Sequence, residues 1–331
     1  MEKLLFFFRK CVYDISQKKE RIFMTKALLF PGQGAQTIGM GKDLYDAFPE
    51  AKDVFASVDE ALHFSLSDLI FNGTADELTQ TQNAQPALMA VSMAVWAVLQ
   101  KQQNIQITDF ACCAGHSLGQ YSALCAAEAM SLPQTAALLR ARGQAMAQAC
   151  AENEGAMAAI IGMERDTLQS ITDKTHTYIA NDNALGQIVI SGKRADIQTA
   201  CDEALQAGAK RALPLNVAGA FHCPLMLSAQ EKMKDPIMNA DMTAPKIPVI
   251  SNVTAAPVTQ VPEIQDDLIR QITGQVEWTK TQHYFKQSGV DEAFELGAGN
   301  VLAGLMRRTE PDIKVYTIGD VASLEAYLNK E

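Results

Sequence analysis

The feature that most constrains this chain is a Gly-x-Ser-x-Gly sequence, running from Gly115 to Gly119, between a short apolar run and a helix-forming stretch. Strand, tight turn and helix in that order form a nucleophile elbow, which holds the serine hydroxyl at the tip of the strand. The helix that follows would aim its free N–H groups and positive dipole end at Ser117. An ordinary strand-to-helix connection that uses two glycines is the alternative. The pattern favours a nucleophilic serine on an α/β fold.

Composition limits the classes of protein to consider. The 331 residues are 48% hydrophobic and 20% charged, which allows a large core and exceeds one minimal domain. A net charge of −10 without a sustained basic run argues against a nucleic-acid partner. The seven cysteines show neither a Cys-x-x-Cys pair nor a metal-ligand spacing with histidine, which predicts buried thiols and no metal. No apolar run reaches membrane-spanning length, so we expect a soluble cytoplasmic protein without a membrane partner.

The first 23 residues differ in character from the rest of the chain. Their apolar run at 4–8 is too short for a signal-peptide core and is followed by Arg9 and Lys10. Met24 stands directly before a clean strand pattern at 25–30. We therefore interpret residues 1–23 as an N-terminal extension or a mis-assigned start, with Met24 as the alternative first residue.

Apolar patterning predicts two structural units. Residues 24–153 and 217–331 should form a hydrolase-like α/β core with a parallel sheet, in which the elbow lies at the carboxyl end of a strand. Residues 154–216 follow the order strand, helix, strand, strand, helix, strand, which predicts a ferredoxin-like subdomain with 182–186 as a turn. Strands of the core are predicted at 25–30, 109–114, 248–252 and 292–296, and helices at 40–48, 49–61, 85–100, 118–130, 133–150 and 301–308.

Two glycines at Gly32 and Gly34 mark a second turn directly after the first predicted strand. A dinucleotide-binding fingerprint would need a third glycine at position 37, which is Thr37, and no lysine follows at phosphate-loop spacing. A nicotinamide cofactor is therefore not expected. The remaining interpretation is a turn whose backbone approaches a bound group closely.

Two arginines lie on opposite faces of the helix predicted at 133–150. Arg140 falls on the polar face and is expected to be a solvated surface charge. Arg142 falls on the apolar face, together with Leu139 and Met146. A charge on an apolar face needs a partner. The partner could be a structural carboxylate or an anionic ligand, and the pattern does not separate the two.

His222 is the best candidate base for Ser117 among five histidines. It follows the nucleophile in chain order and lies where the chain returns to the larger unit. A satisfied core histidine is the alternative. His116 adjoins the serine and should leave the turn in another direction, whereas His63, His176 and His283 are expected at the surface. Because no Asp or Glu stands out as a third triad member, we expect a Ser–His pair oriented by the backbone.

Six segments in this order and spacing resemble the malonyl-CoA:acyl carrier protein transacylases of bacterial type II fatty acid synthesis, from about Met24 to the C-terminus. The segments are 32–36 (Gly-Gln-Gly-Ala-Gln), 115–119, 142–143 (Arg-Gly), 155–157 (Gly-Ala-Met), 219–222 (Gly-Ala-Phe-His) and 271–278. The resemblance implies an acyltransferase in which Ser117 carries the malonyl group and His222 acts first as base and then as acid. It also implies that a main-chain carbonyl at Gln271 orients the histidine.

The resemblance implies the substrate contacts as well. Backbone N–H groups of Gln33 and Leu118 would form the oxyanion hole, and Arg142 would bind the free malonyl carboxylate. Met146 and Phe221 would line the pocket, and Phe221 resembles the residue of malonyl-selective members. The implied substrates are malonyl-CoA and the phosphopantetheine thiol of acyl carrier protein, with no bound cofactor.

Two positions depart from the family pattern. Gln120 replaces a common glutamate and Ala35 a common serine, but neither change removes a reacting atom.

The alternative functions are a serine hydrolase or thioesterase and a non-catalytic carrier-binding module. We expect a monomer that serves fatty acid or polyketide synthesis. Candidate docking residues for the acidic carrier protein are Lys210, Arg211, Arg307 and Arg308.

Overall fold

The computed structural model describes residues 25–329, so the interpretations of residues 1–23 and of Met24 lie outside the described residues. Within that range the chain forms ten strands: β1 (Thr25–Phe30), β2 (Cys112–Gly115), β3 (Gly155–Ile161), β4 (Tyr178–Ala184), β5 (Gln187–Lys193), β6 (Arg211–Pro214), β7 (Val249–Ile250), β8 (Pro257–Val258), β9 (Val290–Leu296) and β10 (Lys314–Ile318). They form two separate sheets.

Fourteen α-helices cover these sheets in the same described range. They are α1 (Lys42–Ala47), α2 (Pro49–Leu62), α3 (Leu66–Asn72), α4 (Ala75–Thr79), α5 (Thr81–Gln103), α6 (Gly119–Ala126), α7 (Leu132–Glu152), α8 (Arg165–Thr175), α9 (Arg194–Gln206), α10 (Leu227–Met238), α11 (Val261–Gln271), α12 (Trp278–Gln287), α13 (Val301–Thr309) and α14 (Val321–Leu328). None of the helices between residues 25 and 329 is both long and apolar enough to cross a membrane.

The larger sheet has the strand order β10-β9-β1-β2-β7-β8, and its pairs are parallel except for β7 with β8. Alternate residues of β1 enter two different apolar clusters, Leu28 and Phe30 on one face and Ala27 and Leu29 on the other. This alternation follows from the two-residue period of a strand that is buried on both faces. The structure thus confirms the prediction of a mixed α/β fold with a parallel sheet.

The smaller sheet has the order β4-β5-β3-β6 with antiparallel pairs. Helices α8 and α9 pack on it around a separate apolar cluster that includes Leu168 and Ile190. The predicted turn at 182–186 is wrong, because β4 continues to Ala184 and only two residues separate it from β5. Residue pairing of β4 with β5, and a bridge from Asn181 to Val276, keep that segment extended.

Several predicted helix and strand ends also shift. Helix α5 begins four residues before the predicted start at 85 and includes Pro86, and α6 ends at Ala126 rather than at 130. Proline has no N–H, so Pro86 leaves the carbonyl oxygen of Gln82 without its usual helical donor. The Arg140 guanidinium donates to that oxygen at 3.0 Å. The prediction that Arg140 is a solvated surface charge is therefore wrong: it is half-buried and completes the first turns of α5.

Candidate active site

The Gly-x-Ser-x-Gly segment forms a sharp turn between β2 and α6. Ser117 has a φ of 54°, in the left-handed region that non-glycine residues seldom adopt. A side chain on Gly115 would overlap the backbone of Gly119, and one on Gly119 would overlap the Phe30 carbonyl. Both glycines are therefore required where the backbone segments touch. The turn presents the serine side chain at the carboxyl edge of the parallel sheet.

A side chain that sequence reasoning missed fixes this turn. Asn252 follows β7, and its Oδ1 accepts from the Ser117 backbone N–H at 2.7 Å while its Nδ2 donates to the Gly115 carbonyl at 2.8 Å. It is fully buried. The available signal was its place at the end of a predicted parallel strand, the edge where polar groups of such folds gather.

His222 lies beside the serine hydroxyl. Ser117 Oγ and His222 Nε2 are 2.8 Å apart. His222 Nδ1 lies 2.9 Å from the main-chain oxygen of Gln271 and 3.2 Å from that of Gly274. Since both oxygens can only accept, Nδ1 carries the proton and Nε2 is free to accept from the serine. The imidazole is thus oriented by backbone carbonyls.

Burial lowers the pKa of His222 to about 3. The nearby Arg142 guanidinium contributes to the lowering, and the hydrogen bond to the Gln271 carbonyl acts in the opposite direction. The imidazole is therefore neutral at neutral pH. A neutral imidazole in contact with a hydroxyl is the protonation state that a general base requires.

The Arg142 guanidinium reaches the same point from helix α7. Its Nη2 donates to Ser117 Oγ at 3.1 Å and to Gln271 Oε1 at 3.0 Å, and its Nη1 donates to Gln85 Oε1 at 2.7 Å. The guanidinium carbon also lies 5.6 Å from the centre of the Tyr121 ring. Every partner is neutral, although the arginine is only 1% exposed.

No carboxylate among residues 25–329 forms an ion pair with Arg142, and its Nε has no hydrogen-bond acceptor there. Burial lowers the pKa of this guanidinium, which reflects the cost of an uncompensated charge. Of the two partners that the sequence left open, the structural carboxylate is absent from the described part of the chain. An anionic ligand is the partner that fits.

These side chains face one cavity of about 630 Å³. Its lining brings together the predicted Ser117, His222, Arg142, Gln33, Leu118, Met146 and Phe221. Within residues 25–329, the backbone N–H groups of Gln33 and Leu118 have no hydrogen-bond acceptor, so both are free to donate to a ligand. Gln271 lies behind the cavity and is fully buried.

The other four histidines have different partners, although His116 also lines the cavity. His116 Nε2 lies 2.8 Å from Asn183 Oδ1, and the ring packs against Trp278, so this side chain leaves the turn away from the serine. His63 and His176 are exposed as predicted. The surface prediction is only partly right for His283, which is half-buried and whose Nδ1 lies 2.6 Å from Glu310 Oε1.

The site combines a half-buried serine with a buried histidine and a buried arginine at the carboxyl edge of a parallel sheet. These are the groups that a serine-dependent acyl-transfer enzyme needs. Comparison with known proteins agrees with this class. The family model described as "Acyl transferase domain" matches residues 27–275. A malonyl CoA-acyl carrier protein transacylase of Bacillus subtilis is 44% identical over 305 residues, 90% of this chain and 95% of that protein. The chain therefore belongs to the malonyl CoA-acyl carrier protein transacylase family.

Solved structures give the same result. An acyl-carrier-protein-S-malonyltransferase of Bartonella henselae superposes with a TM-score of 0.89 at 48% identity, covering 92% of this chain and 99% of that chain. A malonyl-transacylase solved in complex with its type II PKS acyl-carrier protein superposes with a TM-score of 0.89 at 35% identity, covering 93% and 100%. These matches confirm the resemblance found in the sequence.

Proposed function

We propose that this protein transfers the malonyl group from malonyl-CoA to the phosphopantetheine thiol of acyl carrier protein, through an ester on Ser117. The observation that carries the proposal is the buried Arg142 guanidinium, which has only neutral partners and lies 3.1 Å from the serine hydroxyl. A malonyl thioester carries an electrophilic carbonyl and a carboxylate on either side of a single methylene group. Such a substrate would place its carboxylate on the arginine and its carbonyl at the serine.

The first half-reaction would load the serine. His222 Nε2 accepts the hydroxyl proton while Ser117 Oγ attacks the thioester carbonyl carbon. The N–H groups of Gln33 and Leu118 stabilise the resulting oxyanion; one such donor typically contributes about 10²–10³ in rate. The carbon–sulfur bond then breaks, and the coenzyme A thiolate takes the proton from His222.

The second half-reaction would reverse these steps with another thiol. The phosphopantetheine thiol gives its proton to His222 and attacks the malonyl ester, and Ser117 Oγ leaves with that proton. The carbonyl of Gln271 holds Nδ1 throughout, so that Nε2 alone exchanges protons. The thioester is already activated, and we expect the reaction to need no bound cofactor.

We also infer the organisation around this reaction. Of the described residues, 25–153 and 217–329 form a hydrolase-like core, and 154–216 form a ferredoxin-like unit whose last strand leads to Leu215 and Ala218 at the cavity. The protein acts as a cytoplasmic monomer. Both candidate docking pairs, Lys210 with Arg211 and Arg307 with Arg308, are exposed.

Reversal of charge at a docking residue should affect only one substrate. Lys210→Glu is expected to raise the Michaelis constant for the acidic carrier protein several-fold and to leave that for malonyl-CoA unchanged. Steady-state kinetics with each substrate varied in turn would measure both constants. Equal changes in the two Michaelis constants would show that Lys210 is not part of the docking surface.

The activity itself is tested with malonyl-CoA and purified acyl carrier protein, with products separated by mass. Formation of malonyl-carrier supports transfer. Free malonate as the main product would identify a hydrolase, and neither product would leave only a binding role. The buried arginine favours transfer, because a hydrolase of simple acyl esters has no need of a cation in this position.

The lowered pKa of His222 predicts an unusual pH profile. We expect kcat/KM for malonyl-CoA to stay level from about pH 8 to about pH 5, because the imidazole stays neutral. A histidine with an ordinary pKa of about 6.5 would lose about 30-fold over that range. A midpoint near pH 6.5 in the measured profile would contradict the lowered pKa of His222.

The lowered pKa of His222 also affects the stability of the folded protein, so the kinetic measurement needs a folding control at each pH. Because the folded-state pKa lies below the unfolded value, the unfolded chain binds more protons, and the stability contributed by neutral His222 is lost as pH falls from 6.5 towards 3. Circular dichroism at each pH would show that the rates refer to folded protein.

A further inference from the structure

A buried carboxylate that the reaction does not use lies behind the active site. Asp267 on helix α11 is only 4% exposed. Its Oδ1 accepts from the Ser251 hydroxyl and its Oδ2 from the Gln120 side-chain amide. The Ser251 oxygen already accepts two backbone N–H groups, from residues 253 and 254, so its own hydrogen is directed at Asp267.

Two side-chain amides link this carboxylate to the arginine of the site. Gln120 turns its NH₂ group to Asp267, and its Oε1 accepts from Gln271 Nε2 and from the Asn252 backbone N–H, both at 3.0 Å. Gln271 then presents its Oε1 to Arg142 Nη2 at 3.0 Å. The chain Asp267–Gln120–Gln271–Arg142 is buried along its whole length.

The direction of such a chain is set at its ends. An amide has a donor end and an acceptor end, a carboxylate only accepts, and a guanidinium only donates. With a carboxylate at one end, each amide must point its oxygen towards Arg142. In the reverse orientation, Gln271 Nε2 would face the guanidinium N–H groups, and it would lose its hydrogen bond to the Ser117 carbonyl, now 3.0 Å.

We propose that Asp267 is a positioning residue for substrate selection: it fixes the direction of this amide chain and so holds Arg142 in the pose that receives the malonyl carboxylate. The proposal rests on the proposed function, because it assigns Asp267 a role in the selectivity of that same site. Asp267 and Gln271 are four residues apart on α11, one turn that places both on the face towards α6.

The first test replaces the carboxylate by its isosteric amide. The Ser251 hydroxyl and the Gln120 amide donate to different oxygens of Asp267. In Asp267→Asn one of these oxygens becomes an NH₂ group, which only donates, so one of the two donors is left unpaired or the amides reorient. We expect the preference for malonyl-CoA over acetyl-CoA, as the ratio of their kcat/KM values, to fall by about tenfold or more. Asp266→Asn is the matched control, since Asp266 is an exposed neighbour paired with Arg270 on the surface.

The second test exchanges carboxylate and amide. In the double variant Gln120→Glu with Asp267→Asn, the introduced asparagine oxygen accepts from Ser251 and its NH₂ group donates to the introduced glutamate. That glutamate still offers an oxygen to Gln271 and to the Asn252 N–H. The oxygen presented to Arg142 is therefore unchanged, and the double variant should recover the preference that Asp267→Asn loses. Gln120→Glu alone places two carboxylates against each other and should be impaired.

The outcomes separate this inference from a merely structural role. Recovery in the double variant supports it, even if Asp267→Asn proves too unstable to assay. A double variant no better than the combined single effects would overturn it, as would an unchanged preference in folded Asp267→Asn. If the wild-type protein fails to transfer malonyl at all, the proposed function fails first, and that result is obtained independently of these variants.

Discussion

Ser117→Ala is expected to abolish malonyl transfer, with a loss of about 10⁴–10⁶ in kcat. Without the hydroxyl no ester can form, and the remaining groups can neither accept the malonyl group nor hold it between the two thiols. The double displacement has no route around the missing atom. Transfer of labelled malonyl from coenzyme A to the carrier protein would measure the loss.

Ser122→Ala is the matched control for that variant. Ser122 is buried on helix α6 one turn after the elbow, and its hydroxyl has no hydrogen-bond partner in the part of the chain between residues 25 and 329. Its removal should therefore leave both the fold and the activity close to wild type. Retention of transfer by folded Ser117→Ala would show that Ser117 is not the nucleophile.

Arg142→Ala is expected to remove most of the preference of the site for malonyl over acetyl. Charge-assisted hydrogen bonds contribute roughly 1.5–3 kcal/mol each, so a bidentate arginine–carboxylate pair supports a preference of about 10²–10⁴ for malonyl over acetyl. Acetyl would also leave the buried guanidinium unpaired, which adds discrimination in the wild type. Malonyl transfer should fall steeply in the variant, while acetyl and longer neutral acyl groups become relatively better substrates.

Two further substitutions sharpen that result. Arg142→Lys should recover only part of the preference, because one ammonium cannot reproduce the planar pair of donors. Arg140→Ala, two residues away, should keep the preference and lose some stability, since Arg140 donates to the Gln82 carbonyl that Pro86 leaves open. If Arg142→Ala retains the full malonyl preference, the carboxylate is recognised elsewhere.

The sequence was sufficient to predict the α/β class and the positions of Ser117 and Arg142 because each rests on a local signal, whereas Gln33, Leu118 and Gln271 came only from the family resemblance. The apolar run within residues 25–30 and the glycines at 115 and 119 are properties of a few adjacent residues. The prediction that Arg142 needs a partner came from helical periodicity alone. The pairing of Ser117 with His222 relied on chain order, and the structure brings the two within 2.8 Å.

The features that sequence reasoning missed depend on contacts between distant segments. Arg140 looked solvated because its carbonyl partner lies on another helix, 58 residues away in sequence. The length of β4 depends on Val276, which no local pattern connects to Asn181. Asn252 offered only its place at the end of a predicted strand and Asp267 gave no signal at all, since an isolated polar residue does not reveal which buried groups it will meet.

The central claim, a malonyl ester on Ser117, is tested most directly by mass spectrometry of the wild-type protein after brief incubation with malonyl-CoA and no carrier protein. We predict one added malonyl group on the peptide that contains Ser117, and its loss when carrier protein is added. Malonyl on a cysteine such as Cys113, or transfer to the carrier with no modified enzyme at any time, would contradict the account.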